Sequence, residues 1–346
     1  MARSQLWLNL GAVVAAVAGL STIVVKNLPA NNTYQIVNVS YDPTRELYEA
    51  INPLFVAAHE KESGRHLVVV QSHGGSSRQA RKVINGEQPA DVVTLGLPSD
   101  IDALRRRGLV ASDWAERLPN HAVPYTSTIV FVVRHGNPHR IRDWPDLLAP
   151  GLEVAMPDPR TSGNGKLASL AAWAAITTRG GSEDDAANFL RALFRQVPVF
   201  DEGARGTALR FASPEGGDVH LTWENEAIRE VASSNGELDI VYPPVSILAE
   251  PSVAWIDSDK VRKASVADAR SYLSFLFSDT GQETAARLGY RPYRSEFAAR
   301  VGVAFPQIRL IPITAIAPDW NEAYDRFFAE NGIIETAFAL RNKGGE

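Results

Sequence analysis

Nearly continuous apolar runs alternate with amphipathic helical patterns along most of the chain. Residues 67–71 and 91–97 are such apolar runs, and residues 76–85 between them have the period of a helix. Apolar runs of this length are typical of strands that are buried on both faces of a parallel sheet. Their alternation with helices predicts an α/β fold.

The alternation occurs in two series, joined by long strands predicted at residues 127–134 and 247–256. Two α/β series joined in this way predict two lobes with a cleft between them. We assign residues 33–126 and 248–346 to lobe I and residues 127–247 to lobe II. The other predicted strands are residues 35–39, 153–156, 197–200, Val219–Trp223 and 240–242, and the other predicted helices are residues 43–62, 165–178, 184–194, Ala204–Phe211, Glu224–Ser233, 266–277 and 281–288.

Residues 1–32 have a different pattern. Arg3 precedes an apolar run over residues 6–25, and a polar stretch that contains Pro29 follows this run. The pattern is typical of a secretory signal, although the run is also about long enough to act as an uncleaved membrane anchor. We expect cleavage, and in both cases we expect the remainder to lie outside the cytoplasm, in the periplasm.

The composition of the chain excludes several classes of function. The net charge is −5 with acids and bases interspersed, so no basic patch indicates a nucleic-acid partner. The chain has no Cys, which excludes disulfides, thiolate metal sites, a catalytic thiol and a lipid-anchored cysteine. Its seven His residues show no metal-ligand spacing, and we expect neither a cofactor nor a metal.

Four segments place Gly, Ser or capping residues after a predicted strand and just before a predicted helix. A helix N-terminus has N–H groups without partners and a partial positive charge, so it suits an anion. Ligands of open α/β sheets bind beyond the carboxyl ends of the strands, so all four segments should face the cleft. The segments are residues 41–44, 72–77, 161–165 and 202–207.

None of these segments carries a nucleophile beside a base. Residues 73–75 are similar to an oxyanion-hole loop, but the chain lacks the G-x-S-x-G elbow that a hydrolase of that type needs. Residues 161–166 are superficially similar to a phosphate-binding loop, but the spacing differs and Leu167 replaces the required hydroxyl. The pattern therefore favours a protein that encloses an anion without reacting with it.

Trp223 ends a predicted strand and adds a donor to this set, because an indole N–H donates and cannot accept. A buried anion costs many kcal/mol unless it is hydrogen-bonded, and each charge-assisted hydrogen bond contributes about 1.5–3 kcal/mol. A site built of donors leaves the proton of hydrogen phosphate unpaired. The predicted cleft therefore favours a fully ionised dianion such as sulfate.

Strings distributed over both predicted lobes resemble the mature periplasmic sulfate-binding proteins of ABC transporters. The resemblance covers roughly residues 36–310, and Asn164 departs from it, since the family has a second Gly there. The strings are residues 38–48, 71–76, 90–95, 124–131, 203–206, 223–227 and 247–251.

The resemblance implies a two-lobed periplasmic-binding-protein fold of the second type, with two crossing strands and a dianion sealed between the lobes. His73 and Arg205 would lie behind the ligand without touching it. The implied ligand donors are the backbone N–H groups of Asp42, Ser76, Gly163, Asn164 and Ala204, the hydroxyl of Ser162 and the indole of Trp223.

The leading hypothesis is that a monomer delivers sulfate or thiosulfate to the membrane permease of an ABC importer, without catalysis. Molybdate or tungstate, which are larger tetrahedral dianions, are alternative ligands, and Asn164 is the position to watch. An enzyme acting on sulfate or phosphate esters would need a nucleophile or a metal set, and the sequence offers neither. A membrane-tethered sulfate sensor is a further alternative if residues 6–25 stay attached.

Overall fold

The computed structural model describes residues 34–259 and 262–341. The signal or anchor predicted at residues 1–32 lies outside the described residues. Within the described part of the chain, no helix is long and apolar enough to cross a membrane.

The strands form two main sheets, each of which is the centre of one lobe. They are β1 (Tyr34–Tyr41), β2 (Leu67–Gly74), β3 (Val92–Leu95), β4 (Tyr125–Thr126), β5 (Ile129–Arg134), β6 (Val154–Pro157), β7 (Phe200–Asp201), β8 (Val219–Trp223), β9 (Leu238–Val241), β10 (Val245–Ile247), β11 (Ser252–Trp255), β12 (Arg291–Pro292) and β13 (Arg309–Ile311). Lobe I contains the sheet β11–β3–β1–β2, and lobe II contains the sheet β7–β6–β8–β5–β9. Two small sheets pair β10 with β13 and β4 with β12.

Parallel pairing dominates the part of each sheet that leads into the cleft. In lobe I, β1 is parallel to both β2 and β3, so these three strands end at the same edge. In lobe II, β6 is parallel to β7 and β8, whereas β5 is antiparallel to β8 and β9. The predicted α/β class and the two-lobed fold are confirmed.

Helices cover both sheets. They are α1 (Arg45–Ser63), α2 (Ser76–Ile84), α3 (Pro98–Arg106), α4 (Gly163–Thr177), α5 (Glu183–Arg195), α6 (Ala204–Phe211), α7 (Glu224–Ser233), α8 (Val266–Phe275), α9 (Asp279–Arg287), α10 (Glu296–Arg300), α11 (Trp320–Phe327) and α12 (Ile333–Arg341). Short helical turns lie at Asp42–Thr44, Trp114–Glu116, Pro119–Ala122, Trp144–Leu148 and Ile313–Ala315. The predictions of α6, β8 and α7 agree with the structure at both ends.

Several predicted strands differ in extent from the observed ones: β2 continues to Gly74, and two others are interrupted or shortened near a Pro. The single strand predicted at 247–256 is two strands, because β10 ends at Ile247 and β11 begins at Ser252. Pro251 lies between them and has no N–H to continue a ladder. Similarly, β7 begins only at Phe200, after Pro198, rather than at residue 197.

The chain passes between the lobes where Ser127 and Ala249 face each other. Each of these residues donates its N–H to the carbonyl of the other, at 3.0 Å for Ser127 and 2.9 Å for Ala249. Both crossings are therefore fixed side by side by backbone hydrogen bonds.

The C-terminal helices contact both lobes. In α11, the side-chain amide of Asn321 donates to Asp102 Oδ2 of α3 at 2.8 Å, which joins it to lobe I. The ring of Phe327 packs edge-on against Trp173 of α4 in lobe II, with 5.0 Å between centroids. The sequence analysis assigns residues 248–346 to lobe I alone and does not predict their contact with lobe II. The lobe boundaries themselves stay a prediction.

Candidate functional site

A small cavity lies between the lobes, at the carboxyl ends of their strands. Every residue that the sequence predicts as a ligand donor lines it. His73 and Arg205, which are predicted to lie behind the ligand, are not among the lining residues. The lining residues are Tyr41, Asp42, Pro43, Gly75, Ser76, Ser162, Gly163, Asn164, Ala204 and Trp223.

The helices that begin at this cavity have no side-chain cap. No side chain accepts from the first N–H groups of the turn at Asp42–Thr44, of α2, of α4 or of α6. Among the helices that begin elsewhere, α5, α8, α9 and α11 are each capped by a Ser or Asp side chain, whereas α1, α3 and α10 are not. The N–H groups at the cavity therefore remain free to bind an anion.

Trp223 contributes a buried donor without a partner. Its side chain is fully buried, and its indole nitrogen makes no hydrogen bond within the described part of the chain. An unsatisfied buried donor costs about 1–3 kcal/mol. Because Trp223 lines the cavity, a bound acceptor would remove that cost.

The hydroxyl of Ser76 is already used inside lobe I. It donates to Asp100 Oδ2 at 2.5 Å and accepts from the N–H of Gly96 at 2.9 Å. These bonds hold the first turn of α2 in place and leave the backbone N–H of Ser76 as its contribution to the cavity.

Asp42 is the acidic residue among those that line the cavity. Its Oδ1 accepts from Arg45 Nη2 at 2.9 Å, and its side chain is largely buried. The guanidinium of Arg45 therefore offsets the charge of this carboxylate.

The side chain of Asn164 is buried and held against lobe II. Its Nδ2 donates to the carbonyl of Leu221 on β8 at 3.0 Å, while its Oδ1 has no partner within the described residues. The bond ties the first turn of α4 to the strand that ends at Trp223. The residue that departs from the expected Gly thus joins two elements of the cavity wall.

Arg205 and His73 lie outside the cavity wall. Arg205 Nη1 lies 3.4 Å from Glu46 Oε1, and this ion pair connects α6 of lobe II with α1 of lobe I. His73 lies on β2 beside Ser40 of β1, and its Nδ1 is buried without a partner among the described residues. Burial, assisted by the nearby Arg45, lowers the pKa of His73 below its ordinary value of 6.5.

This pKa shift predicts a loss of stability in acid. The folded state favours neutral His73, so its contribution is complete above about pH 6.5 and is lost as the pH falls through the lowered pKa. We expect the melting temperature of His73→Asn to fall less than that of the wild type between about pH 7.5 and about pH 5.5. The exposed His66 provides the control His66→Asn, and equal acid losses in wild type and His73→Asn would contradict this assignment.

The two lobes touch directly beside the cavity, at Gly75. A Cβ on this residue would lie 2.7 Å from the carbonyl oxygen of Thr161 and 3.1 Å from that of Glu202, both in lobe II. No real Cβ comes this close to a backbone oxygen, so the observed approach of the lobes requires glycine here.

The sequence analysis places Tyr41 and Gly75 in two of the segments that should face the cleft, but it assigns neither of them a role in the site. Tyr41 is buried, its ring lies 5.3 Å from that of Trp223, and burial raises its pKa well above the ordinary value. The hydroxyl therefore stays protonated. The available signal was position, since Tyr41 immediately precedes Asp42 and Gly75 immediately precedes Ser76.

Fold and cavity together define a class of protein, the two-lobed solute-binding proteins that close around a small ligand. The chain belongs to the bacterial extracellular solute-binding protein family, whose model matches residues 36–291. It is 45% identical over 303 residues to the sulfate-binding protein of Salmonella typhimurium, covering 87% of this chain and 92% of that protein. It is 42% identical over 314 residues to the thiosulfate-binding protein of Pseudomonas aeruginosa, covering 90% and 94%.

A solved structure agrees with these relatives. The sulfate-binding protein SubI from Mycobacterium tuberculosis superimposes with a TM-score of 0.77 and 30% sequence identity. The match covers 86% of this chain and 100% of that one, so both lobes have their counterparts in a single known protein.

Proposed function

We propose that this protein captures sulfate in the cavity between its lobes and delivers it to the membrane permease of an ABC importer. The observation that carries the proposal is the meeting of uncapped helix N-termini and the unpartnered indole of Trp223 at one cavity. The sulfate-binding relatives support the same ligand.

The polarity of the cavity supports a fully ionised dianion. Backbone N–H groups and an indole donate but cannot accept, so most of the polar groups of the wall are donors, while Oδ1 of Asp42 already accepts from Arg45. Hydrogen phosphate brings a proton that needs an acceptor, whereas sulfate carries none at neutral pH. Because donors predominate in the cavity wall, we expect phosphate to be the weaker ligand.

Thiosulfate is the second candidate ligand. It has the same charge as sulfate, with one oxygen replaced by a larger sulfur, and the thiosulfate-binding relative supports it. The choice between them depends on the space left beside Asn164, whose side chain occupies part of the cavity wall.

The proposed role is transport rather than catalysis. One chain suffices, because both lobes that line the cavity belong to it. We place the mature protein in the periplasm, as a monomer without a cofactor, where it would meet both the free anion and the outer face of the permease.

Calorimetric titration of the purified protein tests the proposal. At about pH 7 we expect sulfate to bind with a Kd well below about 1 mM and phosphate to bind at least about tenfold more weakly. Thiosulfate and molybdate complete the panel. Absence of sulfate binding in the submillimolar range, or a preference for phosphate, would overturn the assignment.

A further inference from the structure

A buried lysine crosses from lobe II to lobe I directly behind the cavity. Lys166 lies in the first turn of α4, and its residue is only 2% exposed. Its Nζ donates to Ser77 Oγ of α2 at 2.8 Å. Helices α2 and α4 belong to different lobes, so this hydrogen bond exists only while the two helix starts are close together.

The hydrogen bond continues into lobe I. Ser77 Oγ donates to Asp100 Oδ1 at 2.7 Å, and Asp100 Oδ2 accepts from Ser76 Oγ at 2.5 Å. The positive charge of Lys166 thus reaches the carboxylate of Asp100 through one hydroxyl. The same carboxylate holds the residue whose N–H faces the cavity.

Aromatic rings of the C-terminal segment cover the ammonium group. Nζ lies 4.8 Å from the ring centroid of Tyr324 and 5.1 Å from that of Phe328. Ring faces attract a cation, most strongly where water is excluded. Burial also lowers the pKa of Lys166, while Asp100 opposes this shift, so the position disfavours a cation unless these partners stay in place.

We propose that Lys166, Ser77 and Asp100 form a latch between the lobes, which stabilises the closed form and so retains the bound anion. Lys166 is a positioning residue, because it holds the starts of α2 and α4 together without lining the cavity. The latch rests on the proposed function, since it acts on the affinity for the anion captured there.

A latch has a different signature from a ligand contact. If the closed form becomes less populated, the apparent affinity falls by the same factor for every ligand that closes the lobes. The bound anion also leaves faster, whereas its association rate changes little. Loss of a direct contact would instead change the preference between sulfate and thiosulfate.

Lys166→Met removes the charge and keeps an apolar stem against Tyr324 and Phe328. We expect sulfate and thiosulfate to bind about tenfold more weakly, by equal factors. The loss of affinity should result from a faster dissociation rate. At a sulfate concentration that saturates the wild type, small-angle scattering should show a larger open fraction in the variant than in the wild type. Lys82→Met, on α2 but away from its first turn, is the control for loss of charge.

Ser77→Ala is the second variant, in case Lys166→Met does not fold, since it keeps the lysine and removes its acceptor. It should weaken the binding of sulfate and of thiosulfate by equal factors. The double variant should lose less binding free energy than the sum of the losses of the two single variants. A wild type that binds sulfate while both single variants match it in affinity and dissociation rate would overturn the latch alone. A wild type that does not bind sulfate would overturn the proposed function and the latch with it.

Discussion

Replacement of Gly75 by alanine is expected to weaken sulfate binding by about tenfold to a hundredfold. The new Cβ would lie 2.7 Å from the carbonyl oxygen of Thr161. Backbone cannot move aside as a flexible side chain can, so the lobes must stay further apart. The helix starts of lobe I and lobe II could then no longer hold the same anion together.

Gly206→Ala provides the matched control. Gly206 lies in α6, and a Cβ there would meet Asp201 at an ordinary contact distance of 3.4 Å. For both variants, calorimetry measures the Kd for sulfate and thermal unfolding measures the melting temperature. The two measurements distinguish an effect on lobe closure from an effect on folding. We expect Gly75→Ala to keep its melting temperature and lose affinity, whereas wild-type affinity in Gly75→Ala would refute the direct contact of the lobes.

Trp223→Phe is expected to weaken sulfate binding by about tenfold or more. The change keeps an aromatic ring beside Tyr41 and removes the indole N–H that has no partner among the described residues. A charge-assisted hydrogen bond contributes about 1.5–3 kcal/mol, which corresponds to a factor of ten or more in Kd. Calorimetric titration with sulfate measures the loss.

Trp144→Phe is the control for this variant. Trp144 is also fully buried, but its indole donates to the carbonyl of Val245 at 2.8 Å, away from the cavity. Its replacement should lower the melting temperature and leave the Kd for sulfate unchanged. Equal Kd values for wild type and Trp223→Phe would remove the indole from the set of ligand donors.

Local signals made much of the cavity wall predictable from sequence. Strand ends followed by Gly, Ser or Asp-Pro mark helix starts, and the carboxyl ends of parallel strands meet at one edge of a sheet. The outer ends of α6, β8 and α7 are predicted correctly because Gly, Pro or Asn lies beside them, at Gly203, Pro214, Gly217 and Asn235. Which N–H groups bind a ligand remains a prediction.

Contacts between distant parts of the chain were not predictable. Lys166 and Ser77 are 89 residues apart, and nothing in either local pattern indicates that they meet. The sequence around Lys166 is similar only to an incomplete phosphate-binding loop. By contrast, the break between β10 and β11 does have a local signal, since Pro251 interrupts the apolar run.

The central claim is that donors from both lobes surround one dianion in the cavity. Selenate, a tetrahedral dianion like sulfate, makes this claim directly measurable, because selenium can be located in a crystal by its anomalous scattering. We predict a single selenium peak between the lobes, with ligand oxygens within hydrogen-bond distance of the N–H groups of Ser76 and Gly163 and of Trp223 Nε1. A peak elsewhere, or oxygens that contact only one lobe, would contradict the account.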